Sequence, residues 1–168
     1  MENVAVNNVV GSLAAGLAAG MSVKPPVALA EMGYFAVGFE PMDAIHREFH
    51  DLLAGLEEPG DQGEKLLALH EHLLRHCSQE ERWMVDSNFP ACACHAREHE
   101  TLLEVISEVR RRFDAGDSDI VLRLAEELPR WFEHHANTMD AALAVHLREC
   151  ADRPGLHGLA AEPETADA

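Results

Sequence analysis

A chain of 168 residues has room for one domain with a sizeable core, and 30 Asp and Glu against 13 Lys and Arg leave a net charge of −17 at pH 7. A surface of that sign repels phosphate backbones and anionic lipid heads, which argues against nucleic acid and membrane as partners. Aromatic residues make up only 5%, while Leu, Ala, Glu and His abound, a mix that suits helices better than sheets.

In chain order, residues 1–41 hold glycines, Pro25-Pro26 and small side chains without charge periodicity, and read as an extended arm. The apolar run VVGSLAAGLAAGM at 9–21 follows Glu2 and no Lys or Arg. A secretory signal wants a positive start, and the run is too short and Gly-rich to span a bilayer. The four cysteines, Cys77, Cys92, Cys94 and Cys150, are therefore expected to be reduced and the protein cytoplasmic.

Four helical segments follow. The first is expected from about Met42 to Leu56, with Ile45, Phe49, Leu52, Leu53 and Leu56 at helical spacing. EEPGDQGE breaks it. The second runs from about Gln62 to Ser87 on a stripe of Leu66, Leu69, Leu73 and Met84, and NFP ends it. The third runs from about Ala91 to Phe113, with Leu102, Ile106, Val109 and Phe113 in register. DAGDSD is a turn in which Asp117 or Ser118 can cap the fourth helix, about Asp119 to Glu149. Pro129 inside it should kink or restart it. Short connections make neighbours antiparallel, so the expected fold is an all-α, up-and-down four-helix bundle. The domain layout is an N-terminal extension at 1–33, the bundle at 34–150 and a disordered polar tail at 151–168.

The informative residues are the polar ones on the apolar stripes. The second stripe continues through His76, Glu80 and Met84, and the third reaches back through His99 to His95. His46 sits three before Phe49, and His135 one turn after Trp131. An unpartnered buried polar group costs roughly 2–7 kcal/mol, and a carboxylate more. One inward histidine is commonly a satisfied core residue; five with Glu80 are not, and a metal resolves the conflict by taking up their lone pairs. Imidazole and carboxylate without organised thiolate suit iron among the first-row metals. His76/Glu80 and His95/His99 are each four apart, one above the other on a helix. Asp140 follows His135 by five, about 140° round a regular helix. Either the pair straddles the stripe or the helix widens locally, as single wide turns do at functional sites.

Together these fragments resemble hemerythrin, in its bacterial single-domain form, over about residues 34–147. VGFEPMDAIH supplies Val37, Gly38, Asp43 and His46; HCSQEERWM supplies His76, Glu80, Glu81 and Met84; FPACACHAREH supplies His95 and His99; WFEHHANTMD supplies Trp131, His135 and Asp140. The resemblance implies two iron ions, cycling between Fe2+ and Fe3+, with a bridging oxo or hydroxo group and O2 as reversible ligand. His95, His99 and His135 would hold one iron, His46 and His76 the other, and Glu80 and Asp140 would bridge. It implies an oxygen carrier rather than an enzyme, with an oxygen-consuming enzyme as recipient. The alternative on the same bundle is a di-iron enzyme reacting with O2, peroxide or NO, or an oxygen or redox sensor. Phe132, where the family usually has Leu, and Trp131 are the oxygen-pocket candidates.

Rival metal chemistries fit less well. No Glu has a His three residues later, as ferritin-like sites require. Cys92 and Cys94 have no second pair for zinc, and CACH is one residue short of a haem-attachment motif. These thiols are expected to stay off the metal, with Cys77 a small core filler. His50, His70, His72, His134, His146 and His157 are expected on solvated faces.

Overall fold

The four stretches with helical spacing become four helical rods in the computed structural model, which describes residues 35–151. The extended arm through Tyr34 and the tail from 152, His157 included, lie outside the described residues. Helix α1 is Glu40–Gly55, α2 Gln62–Asp86 and α3 Cys92–Asp114. The fourth rod is α4, Asp119–His135, a five-residue π-turn at Ala136–Asp140, and α5, Ala141–Ala151. Sequence neighbours pack on each other, α1 on α2, α2 on α3 and α3 on α4, and α4 also meets α1. The bundle is all-α, as the stripes require.

The helix starts have local causes. Pro41 lies in the first turn of α1, where its missing N–H is no loss. The helix therefore begins two residues before the expected Met42. Just upstream, the buried Asp43 carboxylate accepts from the Val37 and Gly38 amides at 2.7 and 3.1 Å. Gly38 has φ +76°, a conformation cheap only for glycine. Asp61 caps α2 by accepting from Gly63 and Glu64 at 2.8 and 3.1 Å.

Two expectations for the fourth rod need correction. Neither Asp117 nor Ser118 caps α4 with its side chain; the Asp117 carboxylate instead accepts from Arg112 and Arg123. Nor does Pro129 restart the helix, which runs unbroken from Asp119 to His135. Pro removes one intrahelical donor, but Leu124, Leu128, Pro129, Trp131 and Phe132 are all buried, so packing on both sides of Pro129 holds the rod together.

The core divides into two apolar clusters. One contains Phe49, Leu53, Leu69, Leu73, Leu102 and Phe132; the other contains Met42, Trp83, Met84, Leu143 and Leu147. On every rod the inward histidines and carboxylates fall between the two: His46 between Met42 and Phe49, His76 and Glu80 between Leu73 and Met84, His135 and Asp140 between Phe132 and Leu143. A polar layer is thus sealed between two apolar ones.

Candidate metal centre

All seven residues singled out as ligands converge in that layer. His46, Glu80, His95 and Asp140 are 0% exposed, His99 and His135 1% and His76 4%, which rules out solvation as what satisfies them. The Nε2 atoms of all five histidines face the two carboxylates. Glu80 Oε1 is 3.0 Å from His76, while its Oε2 is 3.2 Å from His95 and 3.3 Å from His99. Asp140 Oδ2 is 3.3 Å from His46, while its Oδ1 is 3.1 Å from both His95 and His135. Each carboxylate therefore offers one oxygen to the His46/His76 side and one to the His95/His99/His135 side.

These separations suit ligands better than hydrogen bonds. Two donors each about 2.1 Å from an ion, at right angles, lie about 3.0 Å apart. Despite the short distances, His46 Nε2, His99 Nε2, Glu80 Oε2 and both Asp140 oxygens are buried without a hydrogen-bond partner. His95 and His135 also point Nε2 at Nε2 across 3.0 Å. Ligand atoms of Glu80, His95, His99 and His135 lie within 4.8 Å of one another, as do those of His46, His76, Glu80 and Asp140. The donor set fits a pair of metal ions sharing carboxylates. No cysteine belongs to either group among the described residues.

The outward nitrogens orient the rings. His46 Nδ1–H donates to the Phe35 carbonyl at 2.9 Å, and His135 Nδ1–H donates to Glu98 at 2.7 Å, so both leave Nε2 bare toward the centre. Glu98, 4% exposed, was missed in the sequence. It reads as an ordinary helix carboxylate before His99, and only the packing of α3 on α4 brings it to His135. Glu98→Ala should weaken metal binding about 10–100-fold, as loss of such an orienting partner does; chelator competition measures it, and unchanged affinity would deny Glu98 that role.

The π-turn settles the five-residue spacing of His135 and Asp140. Over Ala136–Asp140 the helix widens, with the Ala141 N–H reaching back to the Ala136 carbonyl. Asn137 and Thr138 donate side-chain hydrogen bonds to the Glu133 and His134 carbonyls, both at 2.8 Å. The extra residue lets His135 and Asp140 point into the same layer.

Without metal, this layer is a network of ion pairs. Burial alone lowers the pKa of His135, but the charge of the Asp140 carboxylate 3.1 Å away, then Glu98 and Glu80, override it and raise it to about 10. His46 and His95 are also raised, against burial, by Asp140 and Glu80. Burial wins at His99, which is lowered. Glu80 and Asp140 are held well below the carboxylate range, the histidines outweighing burial and their mutual repulsion.

Around the centre, Phe132 stands edge-on to His46 at 5.0 Å and to His76 at 6.1 Å, and packs on Phe49 at 4.3 Å. Trp131 stacks on His135 at 4.6 Å, on the three-histidine side. Burial, then the charges of Glu80, Glu81 and Asp140, push the Cys77 thiol up, so this buried residue stays a protonated filler. Cys92 and Cys94 are half-buried at the start of α3, and all four cysteines are free.

The surplus histidines divide. His134 is exposed, and His50, His70 and His146 are half-buried, His146 hydrogen-bonded to the Ser87 carbonyl at 3.0 Å. His72 overturns its expectation: it is 1% exposed, one turn before His76 on the same face. Burial first, then the neighbouring His76, lower its pKa to about 4.

Comparison with known proteins agrees with this geometry. The family model for the hemerythrin HHE cation binding domain matches residues 37–147. The bacteriohemerythrin of Ralstonia nicotianae is 34% identical over 115 residues, covering 67% of this chain and 84% of that protein. The bacteriohemerythrin of Stenotrophomonas maltophilia is 30% identical over 125 residues, covering 68% and 81%. That of Methylococcus capsulatus is 24% identical over 110 residues, covering 62% and 82%. No solved structure gives a significant match.

Proposed function

Because the chain belongs to the hemerythrin family, we propose that it binds dioxygen reversibly at a di-iron centre and acts as a carrier, not an enzyme. The observation that supports a paired metal centre is the split of both buried carboxylates between the two histidine groups, and the carrier role rests on the family. His95, His99 and His135 would hold one iron and His46 and His76 the other, with the carboxylates of Glu80 and Asp140 shared between them. When bound, the irons supply two electrons and an open coordination position for dioxygen.

The chain's own residues do the rest. The His46/His76 side offers two histidines against three on the other, so an exogenous ligand would sit on that side. Phe132, Phe49 and Phe35, whose ring lies 6.0 Å from Phe132, wall it with hydrocarbon and exclude water. Exclusion of water denies a bound ligand the protons that would release it as product. Phe35 and Glu98 keep the His46 and His135 rings aimed inward through their Nδ1–H groups. No helix among the described residues is long and apolar enough to cross a membrane. The four free thiols support a reducing compartment, the cytoplasm, with an oxygen-consuming enzyme as recipient.

Reduced, iron-loaded protein should colour in air and bleach on degassing over several cycles. One-way oxidation with peroxide turnover would overturn the carrier reading in favour of a di-iron enzyme. Phe132→Leu should change the oxygen off-rate or the autoxidation rate; if neither moves, Phe132 does not line the pocket.

A further inference from the structure

Among the described residues, His72 is the one buried histidine the centre does not use. It is 1% exposed, and neither ring nitrogen has a hydrogen-bond partner. A buried imidazole left so costs free energy, and nothing in the centre requires it there. Its surroundings point in two directions. Inward, its ring meets His76 at 5.9 Å, edge to face, and His76 meets Glu80 at 3.0 Å. His72, His76 and Glu80 thus form a ladder of ligand-type side chains at four-residue steps along α2. Outward, His72 Nδ1 lies 3.4 Å from Glu48 Oε2. Glu48 is 54% exposed and opens onto a surface groove lined also by Asp51, Leu52, Glu64, Lys65 and Ala68. Arg75 holds the other Glu48 oxygen at 3.0 Å, keeping Oε2 turned to His72.

From this geometry we propose that the groove at Glu48 and the imidazole of His72 form a transit site for ferrous iron, the route by which the metal reaches His76 and Glu80. The proposal rests on the di-iron reading above. Glu48, Asp51 and Glu64 gather a hydrated cation from a surface whose net charge of −17 already attracts it. His72 then replaces a water ligand at the point where the path enters the bundle. From there the next ligand is one helical turn away. Carboxylate and imidazole are both ligands that a divalent first-row ion accepts in place of water.

The test is timed anaerobic loading of the metal-free, full-length chain with Fe2+, stopped by a chelator at intervals and read as iron retained. His72→Leu and Glu48→Gln should each slow loading about tenfold, the scale of electrostatic steering, while final iron content and its absorption spectrum stay as in the unaltered chain. Glu48 is half-exposed, so Glu48→Gln keeps the fold. His72→Leu should raise the melting temperature of the metal-free chain, because it removes a buried imidazole held only by the 3.4 Å contact to Glu48; a purely structural histidine would lower it. Glu104→Gln, in the separate acidic groove of α3, should leave the rate unchanged. Loading at the original rate in both port variants overturns the proposal, as does equal slowing by Glu104→Gln, which would make the effect one of bulk charge. An unaltered chain that never takes up about two irons would overturn the di-iron reading and the port with it.

Discussion

Replacing Glu80 by glutamine is expected to empty the metal centre: iron retained per purified chain falls to less than half that of the unaltered chain, and affinity drops by more than about 100-fold, beyond what loss of an orienting partner alone costs. Glu80 is fully buried and faces His76 with one oxygen and His95 and His99 with the other. Its amide isostere keeps the volume but loses the charge that would offset bound metal, and presents N–H groups to imidazoles that should be bare. Asp140→Asn should act in the same way, because Asp140 spans His46 on one side and His95 and His135 on the other. The double variant should be little worse than either single one, since both remove parts of one unit. The metal-free chain feels the same change differently. There Glu80→Gln breaks a buried ion-pair network, which costs about 3–5 kcal/mol, measurable by urea unfolding. Iron retained at the original level in Glu80→Gln would remove Glu80 from the ligand set.

The second large effect is on pH dependence. The metal-free bundle should lose stability as pH rises from about 6.5 to 10. His135 has a folded pKa of about 10 against 6.5 for the free side chain. The folded chain therefore holds a proton that the unfolded chain gives up across this window. Stability from that proton is complete below 6.5 and is lost as pH climbs, with a slope approaching about 1.4 kcal/mol per pH unit for one proton. His46 and His95, raised in the same sense, add to the loss. On the acid side the signs reverse. His72, lowered to about 4, and His99, also lowered, contribute stability that is lost as pH falls below 6.5. Lower still, Glu80 and Asp140 give up theirs as they protonate. The metal-free profile should thus peak near pH 6.5. Iron removes the alkaline slope, because ligation requires the imidazoles without their Nε2 protons. Unfolding free energies at half-unit pH steps, with and without iron, measure both. A flat metal-free profile from 6.5 to 9 would show that these protons are not held in the folded chain.

Much of this was legible before any coordinates. Leu66, Leu69, Leu73, Met84, Leu102, Ile106 and Val109 are buried as their spacing requires. Five histidines and Glu80 emerged as polar residues on the apolar stripes, and the resemblance added Asp140. What failed was information that lives between helices. Glu98 lies beside His99 in sequence, but its partner, His135, lies on another rod. The Asp117 carboxylate was free to cap by sequence logic, yet two arginines claim it. His72 is a different kind of miss. It sits four residues before His76 and three after Leu69, so its own stripe already placed it inward.

The π-turn at Ala136–Asp140 also shifts the phase of the fourth rod. Counting in regular helical steps through the buried Leu124, Leu128, Trp131 and His135 points next to Thr138, Ala142 and His146. The first two are exposed and the third half-buried, whereas Asp140, Leu143, Ala144 and Leu147 are buried. The two halves of the rod therefore keep separate reading frames, offset by one residue, and the seam between them falls at the centre itself. An idealised, continuous α-helix could seat Trp131 and His135 or Leu143 and Leu147, but not both. The apolar contacts of Leu143 and Leu147 with Met42 and Met84 thus hold Asp140 in place from the far side of the seam.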